Sequence, residues 1–204
     1  MGKLAAEKFR ELTDGSPVLD AASSVFDFIR DIPYRVDPRQ FHLDEGPEEM
    51  IRSNRGSCFP KHYLLGSMLG ALGFEVRYSV YVFYWKDQCQ NMPEEVLCRA
   101  GKIPATYHLA LRIVSDREQA IVDATWDKAL LKAGFPVNES WDPRGGTRLA
   151  VLPEEEIRAD TAFSAAKIVR DRFDRYTLGE RLELSRFTIE FNRWMENLYK
   201  GEAK

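Results

Sequence analysis

The sequence predicts an α+β fold: one central helix packed on an antiparallel sheet, followed by a helical C-terminal extension. Three observations predict it. An apolar stripe at helical spacing runs from Cys58 to Leu72, period-2 alternation follows at once, and a second alternating pair comes later without any βαβ recurrence. Residues 1–150 are expected to form the core and residues 151–204 a helical extension packed on it. At 204 residues, the chain is long enough for one substantial domain.

In chain order, Leu19, Ala22, Phe26 and Ile29 stand at helical spacing, and Pro33 and Pro38 end that helix. Residues 37–47 read as a loop from their Pro, Gly and Asp content, and Pro47 is expected to open a short helix through Arg52. The central helix carries Leu64, Leu65, Met68, Leu69 and Leu72 on one stripe. Ser57 is its expected N-cap, Pro60 falls in the tolerated first turn, and Gly73 ends it. Gly66 and Gly70 lower helix propensity, which points to close packing at both.

Phe74, Val76, Tyr78, Val80, Val82 and Tyr84 then alternate as a strand. Residues 86–105 read as a surface loop or short helix, with a flap as the functional alternative. Tyr107 to Ile113 and residues 119–126 read as a hairpin turning at Ser115–Glu118. The tail from residue 151 reads as helical. Its stripe of Leu184, Phe187, Phe191, Trp194 and Leu198 is read as core packing, with dimerisation or a cover over a site as the alternatives.

Composition removes several function classes. Hydrophobic residues make up 44%, charged residues 30%, and the net charge is −3, which gives no attraction to nucleic acid or an anionic membrane. No apolar run approaches the ~18 residues of a membrane span, and the charged N-terminus lacks a signal-peptide core, so the protein is read as cytoplasmic. Cys58, Cys89 and Cys98 are an odd set without a CxxC pair, and the three His are scattered. That argues against a disulfide framework and a closed zinc site. Cys58 and His62 share a helix face at i, i+4, but no further metal ligands accompany them. Cys89 and Cys98 are read as loop thiols. Arg144-Gly145-Gly146-Thr147 reads as a surface turn rather than an anion cradle.

One constellation carries chemistry. A thiol attacks as thiolate, its free pKa is ~8.5, and both a helix N-terminus and a neighbouring imidazole lower it. Cys58 stands at a helix start whose unpaired N–H groups can also hold an oxyanion. His108 lies mid-strand. In a hairpin turning at 115–118, facing residues sum to an odd number, so His108 and Asp123 share a sheet face as direct or diagonal neighbours, roughly 5–8 Å apart. Asp123 can then orient the imidazole.

These segments resemble the transglutaminase-like superfamily. Asn54-Arg55-Gly56-Ser57-Cys58 leading into the helix resembles its nucleophile segment. Tyr107-His108-Leu109-Ala110-Leu111 resembles its His strand, and Val122-Asp123-Ala124-Thr125-Trp126 its Asp segment. Ile32-Pro33-Tyr34 fits the region before the Cys, and the likeness covers about residues 20–127. Arg55-Gly56-Ser57-Cys58 is also similar, more distantly, to arylamine N-acetyltransferases. The resemblance implies a papain-like core with Cys58 as nucleophile, His108 as base and Asp123 as orienting acid. The reaction it implies is hydrolysis or acyl transfer on an amide- or peptide-containing substrate through a thioester, with no metal or organic cofactor. Tyr34 and Asn54 are candidate second oxyanion donors, and Trp126 joins them as a substrate contact. Ala110 stands where the family strand usually carries an aromatic, and Phe59-Pro60 follow the Cys. An acyl-CoA-dependent transferase and an inactive peptide-binding module therefore stand as the alternatives.

Overall fold

Eleven residues of the helix α4 (Cys58–Ala71) are buried, so it is the central helix of the molecule and not an amphipathic one lying on a surface. In the computed structural model, which describes residues 1–88, 91–115 and 118–201, the remaining helices are α1 (Lys3–Thr13), α2 (Val18–Asp31), α3 (Glu45–Ser53), α5 (Glu94–Ala100), α6 (Ala162–Phe173) and α7 (Leu178–Lys200). The strands are β1 (Glu75–Phe83), β2 (Thr106–Ser115), β3 (Glu118–Val122) and β4 (Glu155–Ala159). They form one antiparallel sheet in the order β3-β2-β1-β4. The α+β class expected from the sequence is the class observed.

α4 lies between α2 and α3 on one side and β1 and β2 on the other. Gly66 permits that contact: a Cβ there would come within 2.2 Å of the Tyr78 hydroxyl. Gly70 differs, since it has open space around it and its expected close packing is absent. The turn after α4 uses Gly73 at φ 93°, as its place in the sequence requires. α2 and α3 fall where expected, α3 starting two residues before Pro47.

The sheet separates two apolar clusters. Leu109, Leu111, Val80 and Val82 pack with Leu64, Leu65, Met68 and Leu69 beneath α4. Tyr81, Phe83 and Ala110 belong to a second, aromatic cluster with Trp85, Trp126, Phe187, Phe191 and Trp194. The alternation read from β1 and β2 is thus a two-sided burial pattern. The stripe of α7 packs into the second cluster, with Thr177 and Glu180 closing a capping box at its start.

Two expectations are corrected, and a third is narrowed. Residues 155–159, read as part of a helical tail, form β4 on the edge of the sheet beside β1, because Ile157 and Ala159 face the core beneath α4. Residues 86–105 contain α5, the short helix expected, which packs on α7 through Arg99 paired with Glu183 and Glu190; the described residues among them supply no wall to the cavity described below, so the flap alternative gains no support. Ser57 occupies the N-cap position, but its hydroxyl makes no capping bond. The α1 helix was not foreseen; it is held by Glu48, which accepts the Leu4 and Ala5 N–H groups. Cys89 and the tip of the β2–β3 turn lie outside the described residues.

Candidate active site

Three backbone features bring Cys58 to its position. Gly56 forms a parallel bridge with Tyr34, its N–H donating to Pro33 O and its carbonyl accepting from Arg35. A Cβ at Gly56 would meet the Met50 side chain at 2.5 Å, so a larger residue there would have to displace that buried side chain. Ser57 is extended, and α4 begins at Cys58, whose N–H in the first turn has no intrahelical acceptor.

His108 pairs across the ladder with Tyr81, and the β2–β3 register of Leu111 with Val122 carries the odd sum expected. Asp123 falls one residue past the end of β3. There its carboxylate turns the chain, Oδ1 accepting from Thr125 N at 3.1 Å. The strand ends at this Asp turn, which is why the return strand is shorter than residues 119–126. His108 Nε2 donates to Asp123 Oδ2 at 2.8 Å, and both side chains are buried. With Nε2 taken, Nδ1 is the ring nitrogen left for Cys58.

Burial opposes charge on His108. The Asp123 carboxylate, its hydrogen bond and the Cys58 thiol overcome that opposition and raise the imidazole to about 10. Burial likewise works against the Asp123 carboxylate, yet His108 holds its pKa well below the usual range. Both shifts favour the imidazolium–carboxylate form of the pair.

Asp123 sits in a cage that the motif did not reveal. Its Oδ2 also accepts from Ala150 N at 2.8 Å, its N–H donates to Thr147 Oγ1 at 2.8 Å, and its carbonyl accepts from Asn138 Nδ2 at 2.9 Å. Thr147 ends the Arg144–Thr147 segment, which is a turn laid against β3, as its Thr147 N–H to Ile121 O shows. His62 bridges the helix to the same loop. Its Nδ1 donates to Cys58 O at 2.8 Å and its Nε2 accepts from Ala124 N at 3.1 Å. A carbonyl on one nitrogen and an N–H on the other fix the neutral Nδ1–H tautomer. Burial agrees, lowering its pKa to about 4. Both nitrogens are thereby engaged within the protein. Among the described residues no group of three His, Cys, Asp or Glu side chains could hold a metal ion. Lys61, wholly buried, donates to Arg30 O at 3.0 Å and Thr125 O at 2.8 Å, and burial brings it down to about 7. His62 and Lys61 sit four and three residues after Cys58 on the inner side of α4; the i, i+4 spacing singles out His62 in the sequence, and the same helix face could have marked Lys61.

The other candidates divide. Tyr34 and Trp126 pack with ring centres 4.4 Å apart and planes tilted by 48°, and both line a cavity of about 540 Å³ that reaches Cys58 and His108. Burial, with the nearby Cys58 and Asp123, raises the Tyr34 hydroxyl well above its usual value, so it remains a donor. Asn54 does not join them. It is exposed, takes φ 49° to cap α3, and lies outside the cavity walls. Ala110, which stands where the family strand usually carries an aromatic, is buried in the aromatic cluster and is no part of the lining. Phe59 and Pro60 are buried in α4.

The roof of the cavity is α7, fastened to the segment that precedes the Cys loop. Asn192 clamps Val36 on both backbone groups at 2.8 and 3.0 Å, Glu196 pairs with Arg35, and Tyr199 donates to Asp127 Oδ2 at 2.6 Å while accepting from Tyr34 N. These residues recur at helical spacing on one face of α7, so the roof is fixed at successive turns.

No helix among the described residues is long and apolar enough to cross a membrane. A model of the transglutaminase-like superfamily matches residues 4–120, more than half of the chain, a span that includes Cys58 and His108 and ends before Asp123. No curated protein matches the chain.

Proposed function

The chain belongs to the transglutaminase-like superfamily, and from that premise we propose that it is a cysteine-dependent enzyme acting on amides or related acyl groups through a thioester. The observation that carries this reading is the buried 2.8 Å His108–Asp123 pair, whose His108 lines the cavity together with a cysteine that opens a helix.

Cys58 Sγ attacks the acyl carbon, and its proton is held by His108 Nδ1. The carbonyl oxygen gains the electron pair and is held by the Cys58 N–H and the Tyr34 hydroxyl. Collapse breaks the C–N bond, His108 gives its proton to the departing amine, and the acyl group remains on sulfur. Water then adds, His108 takes one of its protons, and the carboxylic acid leaves as the thiol reforms. An amine in place of water makes the same cycle a transfer. Hydrolysis is the preferred reading. Asp123 touches no substrate; it orients His108 and favours the imidazolium. Both Cys58 and Cys98 are unpaired thiols, which suits a reducing compartment such as the cytoplasm.

The test is release of a fluorescent amine from a panel of aminocoumarin amides of amino acids and short peptides. The proposal expects release by the native protein and none by Cys58→Ala. Failure of every amide, together with peptide binding that survives Cys58→Ala, would replace the enzyme with a binding module.

A further inference from the structure

We infer that the space between Cys58 and α7 is an acyl-group pocket built for a neutral aromatic or bulky apolar group, so that α7 is the element that sets specificity. The assignment rests on the proposed thiol chemistry and adds its substrate class. Three observations carry it.

The first is the wall. The cavity of about 540 Å³ is faced by rings from distant parts of the chain, including Phe41, Phe83, Trp85, Tyr107, Phe187 and Phe191. Its size is that of a small-molecule site. Rings offer a substrate area and orientation and no charge, which selects apolar, flat groups.

The second is the rim. Arg35, Arg39 and Arg181 stand at the edge, and each is already engaged: Arg35 with Glu196, Arg39 with Asp37 at 2.6 Å, and Arg181 with the Tyr176 and Asp174 carbonyls at 3.1 Å. Glu196 and Asp37 thus balance two of the three rim charges, and the cavity behind the rim offers rings rather than cations to the group bound there.

The third is access. Cys58 is only 5% exposed, lies on the lining of this cavity, and is covered by a helix fastened through Asn192, Glu196 and Tyr199. A side chain on the flat surface of a folded protein would have to extend past this roof to reach such a sulfur. A small substrate, or a flexible chain end carrying an apolar residue, can.

The experiment compares two neutral alkylating reagents with the same reactive carbon, iodoacetamide and N-benzyl-iodoacetamide, on the intact protein. Rates are read at each cysteine by peptide mass spectrometry, with exposed Cys98 as the internal reference. The expected result is a benzyl preference at Cys58 exceeding that at Cys98 by on the order of tenfold or more, with a rate that saturates in reagent. Thr188→Trp and Ser185→Trp place an indole in the cavity from two positions of the roof. Whichever variant keeps a cooperative thermal melt should bring the Cys58 ratio down to that of Cys98. Because a ratio is read, a general change in thiol reactivity cancels. A Cys58 that reacts readily but without benzyl preference, or a preference that survives in the folded variants, overturns the pocket assignment and leaves the proposed function standing. A native Cys58 inert to both reagents overturns the two together.

Discussion

The two apolar clusters on either side of the sheet differ in what they enclose. The cluster beneath α4 is largely aliphatic, and its centre is closed: Leu64, Leu65, Met68, Leu69, Leu109 and Leu111 are all essentially without exposure. The other is built from rings such as Trp85, Trp126, Phe187 and Phe191, all four of which line the cavity. The first cluster reaches the cavity at its margin, through rings such as Phe41, Phe59 and Tyr107 alongside Cys58. Cys58 packs with the first cluster and Tyr34 with the second, with the His108–Asp123 pair buried close to both. The first cluster fixes where the nucleophile stands, and the second supplies the α7 side of the space before it.

The largest effect should come from the seam between them. Asp123→Asn is expected to lower turnover by on the order of 10²–10⁴-fold, since the imidazole loses its charged orienting partner. Steady-state kinetics with an active amide would read this. Next comes a paired test of the clusters. Leu65→Ala should cost about 2–5 kcal/mol of stability by denaturant melting and leave substrate preference unaltered. Phe187→Ala should cost less than the ~3–5 kcal/mol of a fully enclosed Phe, because its ring already borders the cavity, and should raise KM for apolar substrates. Equal stability costs with no KM change would erase the distinction between the clusters.

Acidity separates the two buried imidazoles. His108 is raised to about 10, so its contribution to stability is complete below the unfolded value of ~6.5 and is lost as pH rises through about 10. His62 is lowered to about 4, so its neutral bridge is favoured above ~6.5 and is lost as pH falls through about 4. Denaturant melts of His62→Gln, whose amide can still bond both ways and does not titrate, should show a smaller stability loss between pH 6.5 and pH 4 than the native chain. The smallest effect is expected of Tyr199→Phe. Loss of its bonds to Asp127 and Tyr34 should cost about 0.5–1.5 kcal/mol, and amide exchange near Tyr34 and Val36 should quicken.

How much of this was legible in the sequence follows the same division. α4, β1 and β2 and the His–Asp register are local patterns, readable from the spacing of residues 58–72 and from one hairpin. The cage around Asp123 was not readable, because Asn138, Thr147 and Ala150 reach it from 15 to 27 residues further along the chain, Ala150 through a backbone N–H that carries no sequence signal. β4 was missed because a five-residue edge strand with three charged side chains lacks a strand's usual composition. Asn54, a candidate oxyanion donor from the sequence, caps α3 in a left-handed conformation and is exposed, a placement that the nucleophile segment does not reveal by itself. The α7 stripe was legible as packing, while its place above Cys58 depends on contacts more than 120 residues apart.

The most direct test of the account is the pH dependence of Cys58 alkylation by iodoacetamide, resolved by residue, in the native protein and in His108→Ala, with Cys98 as reference. The account predicts that Cys58 reacts well below pH 7 in the native protein and loses that low-pH reactivity when His108 is removed. A Cys58 that is reached by the reagent, follows the pH profile of Cys98 and ignores His108 would contradict it.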